Sequence, residues 1–468
     1  MIMTRIKKPK SRKSLFFEGS GPLIVGAMVL FSVTSLLIMT AVERLENPAP
    51  ALDLAKQKFP SDVSSRLTMR HRHHRTPDLF QNSARKDLPT SDAPPRSMDY
   101  QALVRPGSQR AKFEANGNAY PTLSEMKSKI RESWASQTIE THSEDLSYDI
   151  FNCPPQPVEG YPFHWSSHEV LSNWNPDDSE VPSRIYQGLC VFDWSNPEQQ
   201  LAAETYRMAE KPFVLQNHDE VIKTAYRWSD ESYMKEMIGP EPQRNEFAHG
   251  NHMMYWKERA GMHLPKDWKP PTENVELTFE DWYEKALEVE KDKDPVNADH
   301  WYFRLNGAFQ SKSTNDYLYD ELPIFRFEND SFFMVNHKEA RGINCRLGQK
   351  GTIAETHYDY SRNFILILGG AKRYVLAPPS ECINLELHPP GHPSARHSRL
   401  DWSNPSDWGE GRFPQAKLNE VVLQSGDALY LPTSWFHFIV SLGMNYQCNA
   451  RSGITHESDQ DIRDCGFL

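Results

Sequence analysis

His357-Tyr358-Asp359, and further on Gly426-Asp427-Ala428-Leu429-Tyr430-Leu431-Pro432 followed by His437, decide how this chain is read. In a strand, residues i and i+2 face the same side, so His357 and Asp359 project an imidazole and a carboxylate together. Taken alone, the pair reads more readily as a packed histidine beside a turn-capping aspartate. The second stretch adds a turn, a strand, a proline stop and a histidine opening the next strand. Two histidines and one carboxylate on one face form a triad suited to non-haem Fe(II), with positions left open for an oxo-acid and dioxygen.

Around these stretches the chain alternates in short apolar runs. Phe332–Val335, Asn363–Leu368, Arg373–Leu376, Ala428–Leu431 and Phe438–Leu442 read as strands, punctuated by Gly369-Gly370 and Ser425-Gly426-Asp427. Many short strands in one domain predict a barrel or jelly roll. Upstream, Asn196-Pro197 opens an amphipathic run to Met208, and further helices are expected over His218–Tyr226, Asp230–Met237 and Phe279–Val289. Lys211–Leu215 reads as a strand between them. The expected class is mainly β with a helical flank.

Lys372 stands fifteen residues after His357, and its neighbour Arg373 would face the other way in a strand. A lysine inside a barrel is costly without an anion; on a surface strand it would be ordinary. A dicarboxylate such as 2-oxoglutarate would supply that anion.

The order H-x-D, Lys, G-D-x-x-x-x-P, His resembles the JmjC/cupin-like family of Fe(II)- and 2-oxoglutarate-dependent oxygenases, in particular its protein-hydroxylase branch. The resemblance covers residues 184–453, including Lys211–Leu215 and Trp228–Gly239. It implies a double-stranded β-helix, Fe(II) held by His357, Asp359 and His437, and 2-oxoglutarate bound at Lys372, with Asn363, Asn449 and Tyr302 nearby. It also implies dioxygen as oxidant and a protein or peptide substrate. Hydroxylation is the expected reaction. Demethylation of an N-methyl group shares its chemistry, and a cupin that binds a ligand or partner without turnover is the rival from another class. One departure concerns the hydroxyl residue often found three before the first histidine: here it is Ala354, with Thr352 or Thr356 as candidate substitutes. His388, His392 and His397 lie in a Pro-rich stretch and read as loop residues, not ligands.

The N-terminus reads as an address. Residues 19–42 carry no charge, and about 20 apolar residues suffice for a membrane-spanning helix. Arg5, Lys7, Lys8, Lys10, Arg12 and Lys13 precede them, which predicts residues 1–18 as a cytoplasmic tail and the rest in the lumen of the secretory pathway, a type II topology. A cleaved signal peptide would have a shorter apolar core, and the basic run alone could serve nuclear import. Residues 43–150 are expected to form a largely disordered stem, although Thr122-Leu-Ser-Glu125 fits a helix-capping box. The basic cluster Arg70–Arg75 reads as a solvated patch, since its arginines repel a cation. Residues 454–468 are read as a tail.

Charge separates these regions. Residues 1–115 carry 19 Lys+Arg against 10 Asp+Glu, and the remaining residues 33 against 53. An acidic folded part argues against nucleic acid as partner. The six cysteines form no CxxC pair, which removes the usual structural zinc spacing. A luminal domain permits disulfides in any of fifteen pairings; Cys448 is expected as a buried thiol. Asn329-Asp330-Ser331 is the glycosylation sequon considered.

Overall fold

Asn363-Phe-Ile-Leu-Ile-Leu-Gly369 is apolar on both faces because both faces are buried. Phe364, Leu366 and Leu368 pack into the core beneath the helices, while Ile365 and Ile367 pack between two sheets. In the computed structural model the described residues are 99–468, excluding 117–119, 176–180, 259–263, 265–267, 309–314, 327 and 410. Ten strands carry the argument: β1 (Gln243–His249), β2 (Asp299–Gly307), β3 (Ala340–Gly348), β4 (Ile353–Tyr358), β5 (Asn363–Gly369), β6 (Ala371–Ala377), β7 (Lys417–Gln424), β8 (Ala428–Leu431), β9 (Phe436–Ser441) and β10 (Asn445–Ser452).

One sheet runs Val191–Asp193, Phe213–Gln216, β8, β5, β10, β3, β2, β1 and Glu273–Leu277. The other runs Trp165–Ser166, β7, β6, β9, β4 and His252–Met253. Pairings among β1–β10 are antiparallel. The two sheets face each other and fit a jelly-roll barrel. An apolar plug that includes Ile365, Ile367, Leu376, Val421, Leu423, Leu429 and Leu431 fills part of the space between them. The β5–β6 turn needs Gly370: its φ is +63°, and a Cβ there would lie 2.2 Å from the Met444 carbonyl oxygen.

The helical flank forms as its caps dictate. Asn196 accepts from the Glu198 amide with Pro197 at the first turn of helix Pro197–Met208, and Gly239 closes helix Glu231–Ile238 in the left-handed region. Helices Asp219–Trp228 and Phe279–Lys291 bury Trp228 and Trp282 against the larger sheet. Phe332–Val335 is not a strand. It is irregular chain whose Phe332, Phe333 and Met334 are buried in the same core, so the apolar run reflects packing and not pairing.

The expected stem is corrected over the described residues between 99 and 150, which are folded. Helices Gln109–Ala115 and Leu123–Ile130 lie there, the second with the expected Thr122–Glu125 capping box. Arg110 is buried and pairs with Glu220 at 2.9 Å, and Met126 joins the main core. The C-terminal residues are docked too: helix Asp459–Asp464 buries Ile462. The tail 1–18, the apolar segment 19–42, the basic cluster 70–75 and the stem to residue 98 lie outside the described residues. Among the described residues, no helix is long and apolar enough to cross a membrane.

All six cysteines are paired, as Cys153–Cys190, Cys345–Cys448 and Cys382–Cys465. The expectation of a Cys448 thiol is therefore corrected: the β3–β10 register sets Cys345 directly opposite Cys448. The 103-residue separation of that pair predicts a stabilisation of about 4–5 kcal/mol from chain entropy. Replacing both residues by serine should lower the denaturant midpoint accordingly, and an unchanged midpoint would show that the bond contributes nothing.

Candidate active site

Strands β4 and β9 pair so that His357 and His437 are direct cross-strand partners, with ring centroids 4.3 Å apart. Asp359 follows just beyond β4. The side-chain donors of His357, Asp359 and His437 all lie within 4.8 Å of one another, the metal-ligating group found among the described residues. The turn before β9 ties the face together: Ser434, at φ +64°, donates its backbone N–H to the Asp359 carbonyl at 2.9 Å. A non-glycine residue held there marks a site where surrounding structure outweighs strain.

The donor set fits a divalent metal. His357 Nδ1 lies 2.7 Å from the Glu355 carbonyl, and His437 Nδ1 lies 3.1 Å from the Trp435 carbonyl. Each Nδ1 is therefore the protonated nitrogen, and each Nε2 keeps its lone pair for a metal. Burial pushes both imidazoles down, His357 further because His437 and His397 adjoin it, so both are neutral near pH 7. Burial alone would raise the Asp359 carboxyl. Arg451, aided by His357 and His437, outweighs it and holds the group well below the usual carboxylate range. Arg451 Nη1 donates to Asp359 Oδ1 at 2.6 Å, Asn363 donates to Oδ2 at 3.2 Å, and Asn449 donates to the Asn363 amide oxygen at 2.8 Å. The two asparagines thus orient the carboxylate.

These residues border a cavity of about 290 Å³ between the sheets. Lys372 is fully buried and does not itself line the cavity; its Nζ donates at 2.9 Å to the hydroxyl of Tyr302, which does. Burial, reinforced by Arg346, lowers the Lys372 ammonium to about 7. Arg373 faces outward from the barrel, as expected, and pairs with buried Glu420 at 2.7 Å. Of the residues singled out for the site, His357, Asp359, Asn363, His437, Asn449 and Tyr302 line this cavity, and Lys372 joins them through its hydrogen bond to Tyr302. Ala354 packs with Met253 and Tyr302 and puts no hydroxyl into the cavity. Thr352 and Thr356 are buried and do not line it, so neither substitutes for the missing hydroxyl.

Sequence reasoning missed four arginines and a histidine. Arg304, Arg346, Arg396 and Arg451 all line the cavity. His397, read as a loop residue, is folded back so that its ring stacks on His357 at 5.0 Å. Arg451 was legible: Asn445, Gln447, Asn449 and Arg451 alternate along β10 and share its inner face.

Residues 198–451 match the family of cupin-like domains. JmjC domain-containing protein D of Dictyostelium discoideum is 27% identical over 222 residues, 47% of this chain and 46% of its own length. Lysine-specific demethylase JMJ31 of Arabidopsis thaliana is 27% identical over 146 residues, 30% of this chain and 27% of its own. tRNA wybutosine-synthesizing protein 5 of Gallus gallus is 28% identical over 174 residues, 35% of this chain and 50% of its own. The chain spans half or less of the length of these curated relatives.

Proposed function

This chain belongs to the JmjC/cupin-like family, and from that membership together with its His357–Asp359–His437 face we propose that it is an Fe(II)- and 2-oxoglutarate-dependent oxygenase that hydroxylates a protein side chain. The carrying observation is the complete triad with both Nε2 atoms turned from their backbone partners. Bound Fe(II) would supply open coordination positions and the redox chemistry of dioxygen. The overall change is balanced: 2-oxoglutarate, dioxygen and a substrate C–H give succinate, carbon dioxide and an alcohol.

His357, Asp359 and His437 would hold the metal. Lys372 and the Tyr302 hydroxyl would take the far carboxylate of 2-oxoglutarate, whose keto-acid end then faces the triad. Asn363, Asn449 and Arg451 keep the Asp359 carboxylate in one orientation. Ile365 and Ile439 keep part of the wall apolar and limit water. Mass spectrometry of candidate substrates should find a mass gain of one oxygen that disappears when His357 is replaced. Recovery of that gain with His357→Ala would overturn the reading. The same face would serve N-demethylation, the reaction named for one relative, and formaldehyde release separates the two. The acidic balance of the folded part favours a protein substrate over nucleic acid.

The Lys372 ammonium should also set a pH dependence. Its value of about 7 in the free protein means that it is charged below, and increasingly neutral above, that pH. The distal carboxylate needs the charged form. Affinity for 2-oxoglutarate should therefore fall by up to about tenfold per pH unit above about 7, until the raised value in the complex is reached. Titration calorimetry of the Mn(II)-loaded protein across this range tests the slope, and a flat profile would contradict it.

We further infer that residues 19–42 anchor the chain, with the catalytic part in the secretory lumen. Three disulfides that use every cysteine suit an oxidising compartment and are rare in the cytosol. Asn329 of the sequon is exposed. The segment after Val42 should resist protease in sealed microsomes and be digested once detergent is added. Digestion without detergent would place it in the cytosol.

A further inference from the structure

The cavity carries more positive charge than the reaction above uses. Arg304, Arg346, Arg396 and Arg451 line it and buried Lys372 lies behind its wall, bonded to the lining residue Tyr302, whereas Glu246 and Asp359 are its carboxylates. Fe(II) would add two positive charges and 2-oxoglutarate two negative ones, so loading leaves an excess of three positive charges. In a partly buried, low-dielectric space such an excess is costly unless an anion enters. The folded part as a whole is acidic, so this excess is local.

The partners of each cation show where that anion belongs. Arg304 is paired with Glu246, and Arg451 Nη1 with Asp359. Lys372 faces the co-substrate. Arg346 has its side-chain hydrogen bond to the Cys345 carbonyl, at 3.0 Å. Arg396 reaches the Tyr358 carbonyl at only 3.4 Å and lies over the rings of Tyr358 and Tyr360, at 5.7 and 5.3 Å from their centroids. Its backbone sits at φ +75°, a conformation that costs a non-glycine residue energy and gathers at ligand clamps. That turn brings Arg396 to the cavity directly before His397, which stacks on His357. Arg451 adds a second donor: its Nε is buried without a partner.

We propose that the substrate group presented to the triad carries an oxyanion, a carboxylate or a phosphate, gripped by Arg396 beside Arg451. The inference rests on the oxygenase reading and names its substrate class. Arg396 is a substrate-binding residue here. Its guanidinium offers the planar fork that pairs with either oxyanion.

The test uses the full chain with Mn(II) in place of iron and saturating 2-oxoglutarate. Paramagnetic relaxation of probe protons reports approach to the metal. The probes are the N-acetyl methylamides of aspartate, phosphoserine, asparagine and lysine. The aspartate or phosphoserine probe should be relaxed and the asparagine and lysine probes should not, and the stronger of the two acidic probes identifies the anion. Arg396→Gln should weaken the acidic probe by about tenfold, roughly 1.4 kcal/mol, while Arg396→Lys restores part of the loss. Relaxation of 2-oxoglutarate's own protons, preserved in these variants, shows that the site is intact. Equal relaxation of the asparagine or lysine probe, no relaxation of either acidic probe, or no effect of Arg396→Gln would overturn the proposal. Absence of 2-oxoglutarate relaxation in the unmodified chain would overturn the oxygenase reading and this inference with it.

Discussion

His357→Ala, Asp359→Ala and His437→Ala should each reduce iron-dependent turnover of 2-oxoglutarate to background while the barrel remains folded. The three residues come from β4, the turn just beyond it and β9, and together they are the metal-ligating group found among the described residues. Removing one leaves two donors, too few to define the open face that the chemistry needs. The histidine variants delete rings at the cavity wall and should unfold at nearly the unaltered temperature. Asp359→Ala carries an additional cost because it strips Arg451 of its carboxylate. Breaking a fully buried pair costs about 3–5 kcal/mol. Arg451 and Asp359 are 28% and 18% exposed, so solvent screening places this loss below that range. Iron content and succinate release should be measured together. Undiminished succinate from Asp359→Ala would sink the assignment.

Lys372→Ala should weaken 2-oxoglutarate by roughly two to three orders of magnitude. Lys372 is fully buried, and its hydrogen bond is to a neutral phenol, Tyr302. The anion it lacks is one that 2-oxoglutarate would bring. Losing one partner of a desolvated ion pair costs about 3–5 kcal/mol, and each decade of affinity is about 1.4 kcal/mol. Iron binding should change far less, because Lys372 is not a ligand. Lys372→Arg should retain part of the affinity while misplacing the acid, since the wider planar head cannot occupy the ammonium's position beside Tyr302. Affinity is read from the charge-transfer absorbance of the Fe(II) complex under anaerobic conditions. An unchanged affinity would mean that another cation, Arg346 foremost, holds the acid.

The site was legible where its chemistry depends on strand alternation. His357 and Asp359 two apart, Lys372 with Arg373 turned away, and Asn449 on an alternating strand all follow from a two-residue period. The same period hid the disulfide, because alternation buries Cys448 but says nothing of what stands opposite; only the β3–β10 register supplies Cys345. Arg304, Arg346 and Arg396 were illegible for another reason. Their long apolar stems let them lie inside a barrel or on its surface, and Arg304 is settled by Glu246 58 residues away. Arg396 and His397 depend on one left-handed residue in a Pro-rich loop. Residues 99–150 read as stem because their helices are short and polar; their order comes from distant pairs such as Arg110–Glu220 and Arg105–Asp320.

Succinate, followed in a solution of the full chain, Fe(II), 2-oxoglutarate and dioxygen, decides between an oxygenase and a binding protein. An oxygenase should form succinate and carbon dioxide in equal amounts, both lost when dioxygen is removed and both lost in His437→Ala. Tight binding of iron and 2-oxoglutarate with no succinate formed under any of these conditions would contradict it and leave a cupin that binds without turnover.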